Sequence, residues 1–105
     1  IKGRADREID PGAARWLFQL AADQGHAGAQ YTLGMMYARG HGTSQDYVAA
    51  LTWLSLAATQ NAPTADRILY EKERKELMEQ MTAEQVVKAN RRVLEWLWSQ
   101  QRQPN

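Results

Sequence analysis

Leu17-Phe18-Gln19-Leu20-Ala21-Ala22 and Trp53-Leu54-Ser55-Leu56-Ala57-Ala58 stand 36 residues apart and read as two copies of one phrase. The correspondence extends outward: Ala13-Ala14 falls on Ala49-Ala50, Asp10 on Asp46 and Gln24 on Gln60. A fixed period of about 20 to 50 residues marks a solenoid, in which a supersecondary unit stacks on copies of itself because one unit alone cannot bury its apolar face. Such folds present extended surfaces to partners and rarely enclose a catalytic pocket.

Helical spacing recurs in five places, while alternating β-branched runs are absent. The first helix is predicted from about Pro11 to Gln24. Asp10 suits its N-cap and Pro11 its first position, where a missing N–H is no loss. Ala13, Trp16, Leu17, Leu20 and Ala21 form its apolar stripe, and Gly25 stops it. The second helix is predicted over about Ala27 to Ala38, burying Ala29, Leu33, Met36 and Tyr37. Gly34 within it costs up to ~1 kcal/mol against alanine, which implies a neighbouring helix at close range.

Arg39 to Gln45 is a glycine loop, and Asp46 reads as the next N-cap. The third helix is predicted over about Tyr47 to Gln60, with Ala50, Trp53, Leu54, Ala57 and Ala58 inward and Asn61 as its stop. A fourth helix runs from about Pro63 to Gln80, with Ala65, Ile68, Leu69, Leu77, Met78 and Met81 as its apolar residues. Its charged middle predicts Glu71–Lys75 and Lys72–Glu76 pairs on a solvated face. Thr82-Ala83-Glu84-Gln85 fits a capping box for a fifth helix, which carries Val86, Ala89, Val93, Leu94 and Leu97 to about Gln100. Gln101 to Asn105 reads as a frayed polar tail.

The 105 residues suit one domain, and 44% hydrophobic content argues against disorder. A net charge of +1, from 13 basic and 12 acidic residues, lacks the clustered basic excess of a nucleic-acid binder. The absence of cysteine excludes disulfides and thiolate metal sites, and leaves a cytoplasmic or a periplasmic or secreted location equally open. No apolar run reaches the roughly 18 residues of a membrane span. The chain starts at Ile1, which predicts a fragment or processed product of a protein extending upstream.

Candidate chemistry is sparse. His26 and His41 have no third ligand in register, so neither a metal nor an acid–base role is expected. Gly40-His41-Gly42 lacks the Gly-Lys-Ser/Thr of a phosphate loop and follows no strand. Ser44, Ser55 and Ser99 have no histidine–acid arrangement visible in the sequence. Neither catalytic residues nor a cofactor are assigned. Trp96 and Trp98 are two apart, so they point about 200° apart on one helix. One of them should pack and the other stay wet; an exposed tryptophan here would be a candidate partner anchor.

The ordered set Ala14, Leu17-Phe18, Ala21-Ala22, Gly25, Ala29-Gln30, Leu33-Gly34, Tyr37, Gly40-x-Gly42 and Gln45-Asp46-Tyr47 resembles the Sel-one-like repeats, relatives of the tetratricopeptide repeats. The next unit opens with Ala50, Trp53-Leu54 and Ala57-Ala58. Leu17 replaces the usual tryptophan, with Trp16 one place earlier, which implies rotated packing there. Tyr70 stands where Gly34 stands a period before, and the run from Arg74 through Trp96 looks like the C-terminal ending of bacterial members.

The resemblance implies an all-α, right-handed α–α superhelix of about five antiparallel helices, organised as one solenoid over residues 1–105. Residues 10–25 would be the second helix of a truncated repeat, 26–61 a complete repeat and 62–105 the capping helices. Residues 1–9 would be the tail of the missing first helix and its loop, which predicts that Trp16 and Leu17 are covered by self-association. The implied function is a non-catalytic scaffold that binds a protein or peptide on a concave face. That face would carry Tyr31, Met35 and Arg39 and, one period later, Arg67, Glu71 and Lys75. Relatives linked to cell-wall or β-lactam binding and hydrolysis supply a second class, and a purely structural, self-associating segment a third.

Overall fold

A computed structural model describes residues 10–60 and 62–102. Five helices follow one another: α1 (Pro11–Asp23), α2 (Ala27–Arg39), α3 (Tyr47–Thr59), α4 (Thr64–Met78) and α5 (Ala83–Gln101), with no strand among the described residues. Their ends sit where local chemistry puts them. The Asp10 carboxylate accepts the Gly12 and Ala13 N–H groups, and the Asp46 carboxylate accepts that of Ala49. Thr82 and Gln85 close the capping box reciprocally, at 3.1 and 2.9 Å. Asn61, read as the stop of α3, lies outside the described residues, as do residues 1–9 and 103–105.

α1 doubles back onto α2 through a turn at Gly25, and the buried Gln30 amide donates to the Ala22 carbonyl across that hairpin at 3.0 Å. α2 then meets α3 at Gly34, whose missing side chain leaves room for the Leu54 side chain and the Ala50 carbonyl. A Cβ on Gly34 would lie 3.0 Å from Leu54 Cγ and 3.1 Å from the Ala50 carbonyl, so the glycine permits the close approach its position implied. The joining loop needs two left-handed glycines. Gly40 ends α2, and Gly42 passes so near Pro11 that a Cβ there would overlap the proline backbone.

α3 is the hub. α2, α4 and α5 all pack on it, whereas α4 and α5 hardly touch each other. Ala50, Leu51, Leu54, Leu56 and Ala57 are fully buried, and Thr52 and Ser55 nearly so. The one-sided stripe expected for α3 is therefore corrected: a helix apolar on nearly every side is buried on nearly every side. Leu51 and Leu56, off the predicted stripe, carried that signal.

α1 departs in the opposite sense. Ala13, Trp16, Leu17 and Leu20 are exposed, and α1 instead turns Phe18, Ala21 and Ala22 toward α2. Of the stripe read from periodicity, Ala21 meets the core as expected, while the other four residues face outward, since α2 is the helix that packs on α1 and it approaches from the other side. α4 is anchored by Tyr70 and Leu77, not by Ala65, Ile68 and Leu69, which are exposed. On α5, Ala89 is buried, Val86, Val93 and Leu97 are half-buried, and Leu94 is exposed. Lys72 pairs with Glu76 at 3.4 Å as expected, but Glu71 pairs with Arg74 rather than Lys75. The Ser55 hydroxyl takes the Arg74 Nε–H at 3.0 Å and holds the guanidinium within reach of Glu71.

Candidate partner-binding surface

Tyr31 on α2 stacks on Tyr70 on α4, with ring centroids 4.8 Å apart and planes 27° from parallel. This pair forms the seam between the two helices. Tyr70 is buried and Tyr31 half-buried. Burial, reinforced by Glu73, pushes the Tyr31 hydroxyl above its ordinary pKa against the pull of Arg39 and Lys72. Burial likewise raises Tyr70, helped by Asp66 and by Tyr31 itself. Both phenols are therefore neutral donors near pH 7.

One turn along α2 from Tyr31, and then another, Met35 and Arg39 form a ridge between two hollows. One, of about 280 Å³, is closed by Tyr47, Glu73, Glu76 and Gln80. The other, of about 450 Å³, is closed by Thr32, Met36 and His41. Arg39 can thus meet a carboxylate on either side, while Met35 offers a deformable apolar contact.

Arg67, Glu71 and Lys75 lie elsewhere on α4. They line a separate open groove of about 720 Å³ beside Ala58, together with Ile68 and Lys72. Glu71 is the residue after Tyr70, and one step along a helix turns a side chain by ~100°. The two triads expected on one face consequently open onto different hollows. The α4 residues that join Met35 and Arg39 are Glu73 and Glu76, with Tyr70 behind them on Tyr31. Sequence reading missed them because it carried α2 positions forward by one period. The glycine-to-tyrosine change from Gly34 to Tyr70 was the available sign that α4 does not repeat the α2 environment.

Trp96 sits edge-on to Trp53, with centroids 6.5 Å apart, and its Cη2 lies beside Gly25. Through this one side chain α5 reaches from the hub to the turn between α1 and α2. Trp98 is exposed, and the Arg102 guanidinium lies 5.7 Å from its ring centroid.

The remaining polar candidates have local duties. His26 Nδ1 accepts the Ala29 N–H at 3.0 Å and so caps α2. His41 is exposed. The Ser55 hydroxyl is engaged by Arg74, and the Ser99 hydroxyl donates to the Trp96 carbonyl. No group of three or more His, Asp or Glu side chains among the described residues could hold a metal ion.

The α1–α2 hairpin, the glycine loop and α3 agree with comparison to known families. The Sel1 repeat matches at residues 2–26 and again at 27–61, together more than half of the chain. The chain belongs to the Sel1 repeat family. Comparison with curated proteins and with solved structures gives no match. Sel1 repeats are right-handed α–α solenoids related to tetratricopeptide repeats, and they generally mediate protein–protein interaction as non-catalytic scaffolds. No helix among the described residues is long and apolar enough to cross a membrane.

Proposed function

We propose that this Sel1 repeat chain is a non-catalytic adaptor that binds a protein or peptide along the concave face of α2 and α4. The supporting observation is the Tyr31–Tyr70 stack flanked by Met35, Arg39 and Glu73. A rigid aromatic seam beside a mobile thioether and charges of both signs suits a polar peptide with an apolar anchor. Arg67, Glu71 and Lys75 extend the surface outward along α4, where a longer ligand would reach them. In this reading, residues 10–25, 26–61 and 62–105 act as truncated repeat, full repeat and cap.

Peptides selected from a displayed random library on the whole chain test the reading. Tyr31→Ala and Arg39→Ala should each weaken the selected peptides by about tenfold or more. Arg67→Ala should matter only for peptides long enough to cross α4. Binding that survives both Tyr31→Ala and Arg67→Ala would move the site elsewhere.

The exposed Trp16, Leu17 and Leu20 support a second element of this proposal, self-association through α1. A concentration-independent monomer in sedimentation would overturn that element and leave the concave face untouched.

A further inference from the structure

α5 carries a second exposed apolar feature, distinct from the concave face. Val87, Leu94 and Trp98 are 57%, 67% and 59% exposed. With Arg91 they recur at i, i+4, i+7 and i+11, which places all four within about 60° of arc. Leu94 lies about 140° round the helix from the buried Ala89, so the stripe faces away from the hub. Its length from Val87 to Trp98 is roughly 16 Å, three turns of helix. A coiled-coil-like seam has this spacing, here with arginine at one of its positions.

Shape and charge narrow what fits it. A hollow of about 330 Å³ opens on the flank of Leu94, between α5 and α4, with Val93 and Asn90 on one wall, Glu71 and Arg74 on the other, and Ser55 and Ala58 as its floor. An apolar knob from a partner could seat there beside Leu94. The Arg102 guanidinium over the Trp98 ring holds a cation at one end of the stripe, and Arg91 places another in its middle. The two ion pairs among the described residues belong to α4, and none involves α5.

A guanidinium covered by a partner demands a carboxylate, because an uncompensated charge taken out of water is costly. A second copy of this chain would set arginine-bearing stripes against each other. An anionic membrane laid along the whole stripe would meet Glu84 and Glu95 among Lys88 and Arg102 at its arginine edge, a border of mixed charge. A helix bearing both apolar residues and an acid satisfies the whole pattern.

We propose that the Val87–Arg91–Leu94–Trp98 stripe docks an amphipathic helix of a partner protein whose apolar face carries a carboxylate opposite Arg91. The inference shares with the concave-face reading only that the chain acts by binding proteins, and either can fail alone.

The test displays a library of heptad-patterned helical peptides with one seam position varied among Glu, Gln and Lys, selected against the whole chain. Glu should be enriched at that position. Trp98→Ala and Arg91→Glu should each weaken the selected peptides by about tenfold or more. Arg91→Glu should also reverse the preference to Lys, while Ser44→Ala, at an exposed position of the glycine loop, should leave binding unchanged. All three positions have exposed or half-exposed side chains, and circular dichroism verifies that each variant folds. A selection that yields no Trp98-dependent binder, no charge preference, or no reversal on Arg91→Glu overturns the proposal. So does a dimer that Trp98→Ala dissociates, or Trp98-dependent capture by phosphatidylserine vesicles.

Discussion

α1 and α3 carry the same phrase 36 residues apart and live in different surroundings. Trp16, Leu17 and Leu20 on α1 correspond to Thr52, Trp53 and Leu56 on α3. The first three are exposed; Thr52 and Leu56 are buried, and Trp53 is packed against the cluster of Ala22, Ala29 and Leu33 with Trp96 on its edge. The local sequence separates them at one aligned position in particular, since Arg15 on α1 stands where the fully buried Leu51 stands on α3. The rest of the difference lies in their neighbours, since α3 is enclosed by three helices and α1 packs mainly on one. A repeat motif therefore specifies a helix and its apolar face, while burial is assigned by whatever stacks beside it.

Truncating the equivalent leucines should separate the two helices most. Leu56→Ala should cost about 2–5 kcal/mol, as for a fully buried leucine, whereas Leu20→Ala should cost less than about 1 kcal/mol. Urea denaturation monitored by circular dichroism measures both; similar values would mean that α1 is enclosed as α3 is. Next in size is Gly42→Ala, where the loop after α2 passes Pro11 at the start of α1. The residue has φ +78° and no room for a Cβ, so a cost of about 2–3 kcal/mol is expected in the same assay.

The equivalent N-caps sharpen the contrast further. Asp10→Ala and Asp46→Ala should each cost about 1 kcal/mol of helix stability. Amide hydrogen exchange should report the first as local fraying of α1 and the second as a loss shared by the whole core. The smallest effect is on pH dependence and belongs to the packed half alone. Tyr31 and Tyr70 have raised folded-state pKa values, from burial first and from neighbouring carboxylates next. Above about pH 10 the unfolded tyrosines release protons before the folded ones, so the folded state holds more protons and stability falls as pH rises. Tyr31→Phe and Tyr70→Phe should each flatten that fall in urea midpoints measured across the alkaline range.

Legibility followed locality. The helix starts at Asp10, Asp46 and Thr82 were readable because a cap bonds to N–H groups two or three residues away. The role of Gly34 was readable because a glycine inside a helix has few explanations, and close approach is the commonest. The pairing of Glu71 was misread because its partner was chosen by Ser55, on another helix. Tyr70 passed as a departure from the pattern, yet it anchors α4 by stacking on Tyr31. For the same reason the binding candidates on α2 and α4 were carried forward by one period and came out on two separate hollows.

Sequence alone determined the helices, the caps at Asp10, Asp46 and Thr82, the period and the family, because each depends on bonds and spacings within a few residues or on a motif repeated in order. Tertiary structure alone decided which apolar face of α1 meets the core, that Tyr70 stacks on Tyr31, and that Trp96 packs while Trp98 faces water. Those outcomes depend on how far neighbouring helices approach and from which side, and such distances are set by side chains remote in the chain rather than by the residue being judged.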